Sequence, residues 1–307
     1  MKRRDFNALL AGAASAILPM PGAATSLAAG NLTVGVQLNG TANWEMQTIL
    51  DRGIDVRNGI ALSLMDVANK QAGHVALLSG EADVILSDYI WVSALRSRGE
   101  TITCVPHSLA VGGLMVPAGS KIASVADLPG KTIGIAGGPL DKSWIALQAY
   151  YAARTGGSLA DKVDARFGAP PLVNALLSEG ELDASLNFWH FNARAKAEGH
   201  RELISVAQMM SGMGIAARPP LLAWVFLEDS IAGAATAIRG FLDASFDAKA
   251  VLANDDLAWE ALRERMGATA SDALFEALKS DYREGIVPGY TDQMIDAAAE
   301  AFGVMAE

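Results

Sequence analysis

The stretch ALLSGEADVIL at residues 76–86 decides the fold of this chain, because a similar stretch, ALLSEGELDASL, follows at residues 175–186. Each stretch predicts the end of a helix, a turn built on Gly and Glu, an Asp, and then a short buried strand. The same module therefore occurs twice. Two similar α/β units that face one another would form a clamp for a small molecule.

Strands alternate with helices on both sides of each module, which predicts parallel sheets joined by crossover helices. We predict an α/β chain of two lobes. Residues 31–110 together with 216–307 form the first lobe, and residues 111–215 form the second. The chain then crosses between the lobes twice, near residues 110–115 and 205–217.

The first 28 residues have the features of an export signal. Lys2, Arg3 and Arg4 form a basic head, an apolar stretch follows at residues 8–18, and Ser-Leu-Ala at residues 26–28 supplies a small-x-small cleavage site. The run Arg-Arg-Asp-Phe at residues 3–6 resembles a twin-arginine signal, whose export route carries folded proteins. We expect a periplasmic protein; a short membrane anchor is the alternative.

Composition argues against several classes of function. The chain has 24 Lys and Arg against 34 Asp and Glu, a net charge of −10, and removal of the predicted signal makes it more acidic. Nucleic acids require basic surfaces, so we expect no nucleic-acid partner. The four histidines lack the paired spacing of zinc sites, and we expect no metal and no cofactor.

No motif of a catalytic site is present. The chain has no Gly-x-Ser-x-Gly elbow, no Walker loop and no Cys-x-x-Cys, since Cys104 is its only cysteine. We therefore predict no catalytic residues and a binding protein rather than an enzyme.

Small or polar residues follow several of the predicted strands. Open parallel sheets bind ligands just beyond the carboxyl ends of their strands, so these loops predict the ligand site. The return segment between the lobes adds one further candidate. The predicted ligand-binding residues are Asn39, Trp44, Ser87, Asp88, Tyr89, Gly137, Gly138, Pro139, Lys142, Ser143, Asn187, Trp189, His190 and Arg218.

The loop at Gly137 and Gly138 favours an anionic ligand. Glycines let the backbone approach a ligand closely, and the helix predicted from about Leu140 offers free N–H groups, with Lys142 and Ser143 in its first turn. The alternative is a tight turn that leaves Lys142 in solvent.

Other candidates have a structural alternative as well. Asp88 either caps the helix that follows it or binds an amine of the ligand. Trp44 and Trp189 either line the cleft or pack in the core. His190 either hydrogen-bonds an anion or caps a helix, and Arg218 either reaches the ligand or fixes the hinge.

Three segments resemble one known family, the periplasmic substrate-binding proteins of ABC importers for nitrate, sulfonates and taurine, which share their fold with thiamine-pyrimidine synthases. The resemblance rests on residues 77–83, 124–134 and 180–184, and Asp-Leu-x-Gly-Lys at residues 127–131 is its most specific element. It extends over about residues 31–267. It implies a two-lobed periplasmic-binding-protein fold (Venus flytrap, type II-like). The family has a small-residue loop where Gly137 stands and often an aromatic residue where Trp189 stands.

The resemblance implies delivery of a small solute to an ABC permease in the inner membrane. We expect a monomer that binds a small organic anion or zwitterion, sulfonate-like or taurine-like, by hinge closure. The Cys-rich motif of the related synthases is absent, which argues against their activity. The alternative is a periplasmic accessory protein that uses the same fold to serve an exported redox enzyme.

Overall fold

The computed structural model describes residues 30–215, 218–287, 289 and 291–306. The predicted export signal at residues 1–28 lies outside the described residues. Within them the strands are β1 (Gly30–Val36), β2 (Ile60–Asp66), β3 (Val84–Asp88), β4 (Ile102–Ser108), β5 (Gly113–Val116), β6 (Thr132–Ala136), β7 (Asp164–Gly168), β8 (Ala184–Asn187), β9 (Arg201–Ser205) and β10 (Leu222–Leu227).

The helices of the described part cover both faces of the sheets. They are α1 (Ala42–Asp51), α2 (Ile54–Arg57), α3 (Lys70–Ser79), α4 (Tyr89–Arg96), α5 (Lys142–Thr155), α6 (Pro170–Ser178), α7 (Trp189–Ala197), α8 (Val206–Gly212), α9 (Glu228–Asn254, with a kink at Ala234), α10 (Asp256–Leu262), α11 (Asp272–Glu284) and α12 (Asp292–Ala306). Among the described residues, no helix has the length and apolar character needed to span a membrane.

The strands form two five-stranded sheets with the same plan. The first sheet has the order β2-β1-β3-β10-β4 and the second has the order β7-β6-β8-β5-β9. In each, three neighbouring strands are parallel and the fourth strand in the order is antiparallel to both of its neighbours. The predicted α/β fold with two lobes is confirmed by this arrangement.

The repeated module forms the same local structure in both sheets. Gly80 and Gly180 each follow a helix with φ of +77°, a conformation that glycine adopts without strain. The Asp that comes three residues later then bonds to the neighbouring strand. Asp83 accepts a hydrogen bond from the N–H of Thr33 at 2.7 Å, and Asp183 accepts one from the N–H of Thr132 at 2.9 Å. These residues therefore build the fold rather than the ligand site.

The helices after Asn254 contact elements of both sheets. The α10 and α11 helices pack with Trp44 of α1 and with Trp189 and Ala193 of α7. On α12, Ala297 and Ala301 are buried against Trp144 and Leu147 of α5. The predicted lobe boundaries assign residues 216–307 to the first lobe, whereas this packing gives the last helix its apolar partners on the second.

Candidate functional site

A cavity of about 170 Å³ lies between the two sheets. It opens at the carboxyl ends of β1, β3 and β8 and at the first crossing, where the topology of open parallel sheets places ligands. We call this cavity the cleft. It is lined by Gly35, Val36, Gln37, Gly40, Thr41, Ala42, Val67, Asn69, Lys70, Gly73, Leu86, Ser87, Asp88, Ala110, Val111, Gly112, Asp141, Lys142, Ser143, Phe188, Trp189, His190 and Leu222.

Asp88 provides the only negative charge on the first-lobe side of this lining. One carboxylate oxygen caps α4 by accepting a hydrogen bond from the N–H of Trp91 at 2.9 Å. The other oxygen forms an ion pair with the ammonium group of Lys70, at the start of α3. Both oxygens of this buried carboxylate are therefore engaged within the first lobe.

The charge of Asp88 is stabilised from both sides of the cleft. Burial raises the pKa of its carboxyl group, but the positive charges of Lys70 and Lys142 and the hydrogen bonds from Lys70 and Trp91 outweigh burial and leave the pKa below its usual value. Lys142 belongs to the second lobe. The charge of Asp88 is therefore stabilised by one lysine from each lobe.

His74 and Ser87 form a second polar pair at this edge. The Nε2 atom of His74 lies 2.9 Å from the Oγ atom of Ser87, and its ring stacks on Trp91 with centroids 3.6 Å apart. Burial, followed by the positive charge of Lys70, lowers the pKa of His74 to about 4 against the opposing effect of Asp88. A histidine with so low a pKa is a weak base at neutral pH, so the pair is poorly suited to activate Ser87 as a nucleophile.

The second-lobe side presents the start of α5. Asp141 caps this helix by accepting a hydrogen bond from the N–H of Ser143 at 2.8 Å. The Lys142 ammonium group lies 5.5 Å from the centre of the Phe188 ring. Lys142 is thus held toward the cleft by an aromatic face and by the charge of Asp88.

Two further helices begin at the cleft without a side-chain cap. They are α1, which follows Thr41, and α7, which follows Phe188. The N–H groups of Asn43 and Trp44 in α1 and of Phe191 in α7 donate to backbone carbonyls, but each helix start still carries a partial positive charge. One such start comes from each lobe. Together with Lys70 and Lys142 they make the cleft suited to a negatively charged group.

His190 adds a neutral polar group to this wall. Burial, followed by the charge of Arg194, lowers the pKa of His190 to about 3. Its Nδ1 atom is buried and has no hydrogen-bond partner among the described residues. Such an atom is costly to leave unpaired, and it lies on a residue that lines the cleft.

Six of the fourteen predicted site residues line the cleft. These are Ser87, Asp88, Lys142, Ser143, Trp189 and His190. Asp88 caps a helix, which was one of its two predicted roles. Trp189 combines both of its predicted roles: it lines the cleft, and its side chain is only 8% exposed because it packs against other aromatic rings.

Four predicted residues on the first-lobe side and at the crossings lie elsewhere. Asn39 is exposed on its loop. The Trp44 ring is buried among Trp189, Trp259 and Tyr282, and Tyr89 packs against the core of the second lobe. Arg218 donates a hydrogen bond to the carbonyl of Glu284 at 3.4 Å, at the end of α11.

Four predicted residues of the second lobe also lie outside the cleft lining. Gly137, Gly138 and Pro139 form a turn that precedes α5, which begins at Lys142 rather than near Leu140. Asn187 donates a hydrogen bond to the carbonyl of Pro170 at 2.9 Å and accepts one from the N–H of Phe188 at 2.8 Å. Its side chain is used to shape the end of β8.

Lys70, Asn69 and Phe188 line the cleft but were not predicted. Lys70 and Asn69 follow β2, so the rule that selected the loops after the other strands would have found them if it had been applied to this strand. Phe188 lies between two predicted residues, Asn187 and Trp189.

Fold and cleft together define a two-lobed binding-protein architecture. The chain belongs to the family described as NMT1/THI5 like, whose pattern matches residues 52–254. The sequence matches no curated protein.

Solved structures with the same fold include binding proteins for sulfonates. The periplasmic aliphatic sulphonate-binding protein SsuA from Escherichia coli is 16% identical, with a TM-score of 0.70 and coverage of 90% of this chain and 92% of that chain. The alkanesulfonate-binding protein SsuA from Xanthomonas axonopodis pv. citri, bound to MOPS, is 18% identical, with a TM-score of 0.69 and coverage of 90% and 93%. The predicted type of fold is confirmed.

An enzyme also shares this fold. The desulfurization enzyme DszB is 16% identical, with a TM-score of 0.55 and coverage of 91% of this chain and 94% of that chain. The fold alone therefore does not separate binding from catalysis. Within the described residues no group of three or more His, Cys, Asp or Glu side chains is placed to hold a metal ion.

Proposed function

We propose that the chain is the periplasmic solute-binding component of an ABC import system and that it binds a small organic anion in the cleft. The observation that carries this proposal is that each lobe contributes a lysine and an uncapped helix start to the lining: Lys70 and the start of α1 from one, Lys142 and the start of α7 from the other. An anion bridging these groups gains contacts that exist only when the lobes are closed, so binding favours closure.

The state of Asp88 favours an anion over a zwitterion. An amine of the ligand would have to displace Lys70 from one carboxylate oxygen or the α4 cap from the other. An anionic group instead meets Lys70 and Lys142 with Asp88 already neutralised. The lining carries two lysines, Lys70 and Lys142, and two aspartates, Asp88 and Asp141, and both carboxylates are engaged within their own lobes as helix caps.

The size of the cleft and its aromatic lining favour an organic anion over a small inorganic one. Its 170 Å³ is many times the roughly 10–15 Å³ that a single water needs. Phe188 and Trp189 supply aromatic surface on the second-lobe side. A small apolar group beside the anionic head would cover this surface.

Delivery to a permease and a periplasmic location are part of the same proposal. They are supported by the predicted export signal and by the sulfonate-binding proteins that share the fold. We propose a monomer that acts without a cofactor and without catalysis, and the low pKa of His74 supports the last point.

Thermal unfolding of the mature protein, freed of co-purified ligand, tests the proposal. The panel contains butanesulfonate, taurine, nitrate, aminopyrimidines, carboxylates and amines. A ligand at a hundred times its Kd adds about 2.7 kcal/mol to the free energy of unfolding, which raises the midpoint by several degrees. We expect organic anions to stabilise the protein and amines to leave it unchanged.

Charge variants then identify the site. K70M and K142M should each weaken binding of the stabilising anion by on the order of tenfold, about 1.4 kcal/mol. K121M is the matched control, because Lys121 is an exposed lysine of the second lobe outside the cleft. No stabilisation by any anion would contradict the proposed function; equal binding by K142M and the unaltered protein would contradict the proposed site.

A further inference from the structure

A cluster of polar side chains is buried in the first lobe behind α1. We call Glu45, His107, Ser245, Lys249 and Tyr282 the Glu45 cluster. They come from α1, β4, α9 and α11, and none is more than 8% exposed. None of these five residues lines the cleft.

Glu45 is the centre of this cluster. Its carboxylate, fully buried, accepts hydrogen bonds from the ammonium group of Lys249 at 3.2 Å and from the hydroxyl of Tyr282 at 3.2 Å. The Lys249 ammonium also lies 2.7 Å from Ser245 Oγ and 3.2 Å from His107 Nδ1. Three elements that are distant in sequence therefore meet at one carboxylate.

Stability alone is a weak explanation for such a cluster. Burial lowers the pKa of Lys249 against the opposing effect of Glu45, and burial and then Lys249 lower the pKa of His107. Replacing a buried ion pair by apolar side chains of similar volume is often neutral or stabilising. The cluster is better explained by what its members hold in place.

Tyr282 extends the cluster to the opposite lobe. Its ring centre lies 6.3 Å from that of Trp189 and 6.0 Å from that of Trp44, while Trp44 and Trp189 meet edge to face at 5.9 Å. Trp189 belongs to α7 of the second lobe and lines the cleft. The hydrogen bond from the Tyr282 hydroxyl to Glu45 therefore fixes the ring that contacts Trp189 in this wall of the cleft.

A second contact joins the same two regions. The guanidinium group of Arg194, one turn after His190, donates a hydrogen bond to the carbonyl of Met266 at 2.7 Å. This carbonyl follows α10. The α7 helix is thus held against the C-terminal helices at Trp189 and at Arg194.

We propose that Glu45 and Tyr282 are positioning residues for Trp189 that set the separation of the lobes at the cleft without contacting the ligand. This inference rests on the proposed function only in taking the cleft as the ligand site. The hydrogen bond from Tyr282 to Glu45 orients the Tyr282 ring, and the ring in turn orients Trp189 and Trp44.

The test compares two phenylalanine variants, Y282F and Y151F. Each removes one buried hydroxyl and keeps the ring, but Tyr151 lies in the second lobe with its hydroxyl 3.5 Å from Lys162, away from the cleft. Spin labels at V56C and L172C, two exposed positions on opposite lobes, report the separation of the lobes in a C104A background. Thermal unfolding of each variant is measured in parallel.

We expect Y282F to add a population with a longer distance between the labels in the ligand-free protein, and Y151F to leave the distribution unchanged. A distance distribution for Y282F that matches the unaltered protein, with only a lower unfolding midpoint, would overturn the proposal. Equal broadening of the distance distribution by Y151F would also overturn the proposal.

Two double variants separate the hydrogen bond from the charges. E45Q/K249M removes both charges but keeps an acceptor for Tyr282, so it should have the distance distribution of the unaltered protein. E45L/K249M removes the acceptor and should behave as Y282F does. A distribution for E45L/K249M like that of the unaltered protein, or one for E45Q/K249M like that of Y282F, would overturn the proposal.

Binding of butanesulfonate gives the functional measurement. Y282F should weaken it on the order of tenfold, mainly through faster dissociation, while Y151F leaves it unchanged. If the unaltered protein does not bind butanesulfonate or any other anion of the panel, the proposed function is at fault. The label distances still decide the role of Glu45 and Tyr282 in that case.

Discussion

Asp88 and Tyr89 of the first lobe occupy the same place in the repeated module as Phe188 and Trp189 of the second. Asp88 caps α4 with its carboxylate, whereas Phe188 precedes α7 with no side-chain cap. Tyr89 packs into the core of the second lobe, and Trp189 packs against aromatic rings of the first. Each module thus sends one aromatic residue across to the other lobe.

The comparison separates the residues that build the fold from those that build the site. The Gly-Glu-x-Asp part is alike in both lobes, down to the hydrogen bond that each Asp accepts from the backbone N–H of a threonine on the neighbouring strand. The two residues after the strand differ in charge and in capping. The first lobe therefore presents Asp88, whose charge is paired with Lys70, and the second presents the uncapped start of α7 with Lys142 beside it.

Among substitutions within the modules, the largest effect is expected where the lobes are alike. D83A should lower the free energy of unfolding by about 2 kcal/mol, and D183A should lower it by about 1 kcal/mol. Losing the hydrogen bond costs more at Asp83, where it is partly buried, than at Asp183, where it is exposed. Chemical denaturation measures both. D83N and D183N keep an acceptor and serve as controls. A loss for D183A equal to or above that for D83A would contradict this interpretation.

The next effect tests the difference in capping. F188D gives α7 the kind of cap that α4 has, which should stabilise the helix by about 1 kcal/mol. It also places a negative charge at the cleft, so binding of an organic anion should weaken on the order of tenfold, about 1.4 kcal/mol. Calorimetric titration with the anion found by the panel measures the loss, and F188L is the uncharged control. Tighter anion binding by F188D would refute the role given to the start of α7.

The pH dependence of stability tests the two histidines beside the modules. His74 has a pKa of about 4 and His190 of about 3 in the folded protein, both below the value of 6.5 taken for the unfolded chain. The unfolded chain therefore binds more protons in this interval, and the free energy of unfolding should fall as the pH drops from 6.5 toward 4. This stability is fully present above pH 6.5.

Denaturation at pH 7, 5.5 and 4.5 measures that slope. H74Q and H190Q should each reduce it, and the double variant should reduce it most. Glutamine at position 74 retains a group that can bond to Ser87. A slope that is unchanged in the double variant would show that other groups set the pH dependence.

The sequence predicts the fold well because the fold depends on local patterns. The two modules, the alternation of strands and helices, and the positions of the strand ends can all be read from short segments. The packing of α12 on the second lobe could not be predicted, because a helix with Ala297 and Ala301 on one face fits against either sheet.

The site is less predictable because a residue near a strand end can point either way. Trp44 and Tyr89 follow the expected strands, yet their rings turn into cores that only the meeting of the lobes creates. The position of Lys70 after β2 could have been found from the sequence, but its ion pair with Asp88, a partner 18 residues away, could not. Pairings of this kind exist only after the chain has folded.

The position of β10 has a consequence for the order in which a growing chain can complete its structure. This strand lies between β3 and β4, yet it is made after every strand of the second sheet. Until residue 227 has been synthesised, β4 lacks the strand with which it pairs. The second sheet, whose strands all lie within residues 113–205, can form as an uninterrupted stretch while the first still has a gap. The second sheet, which begins later in the chain, can thus be completed before the first.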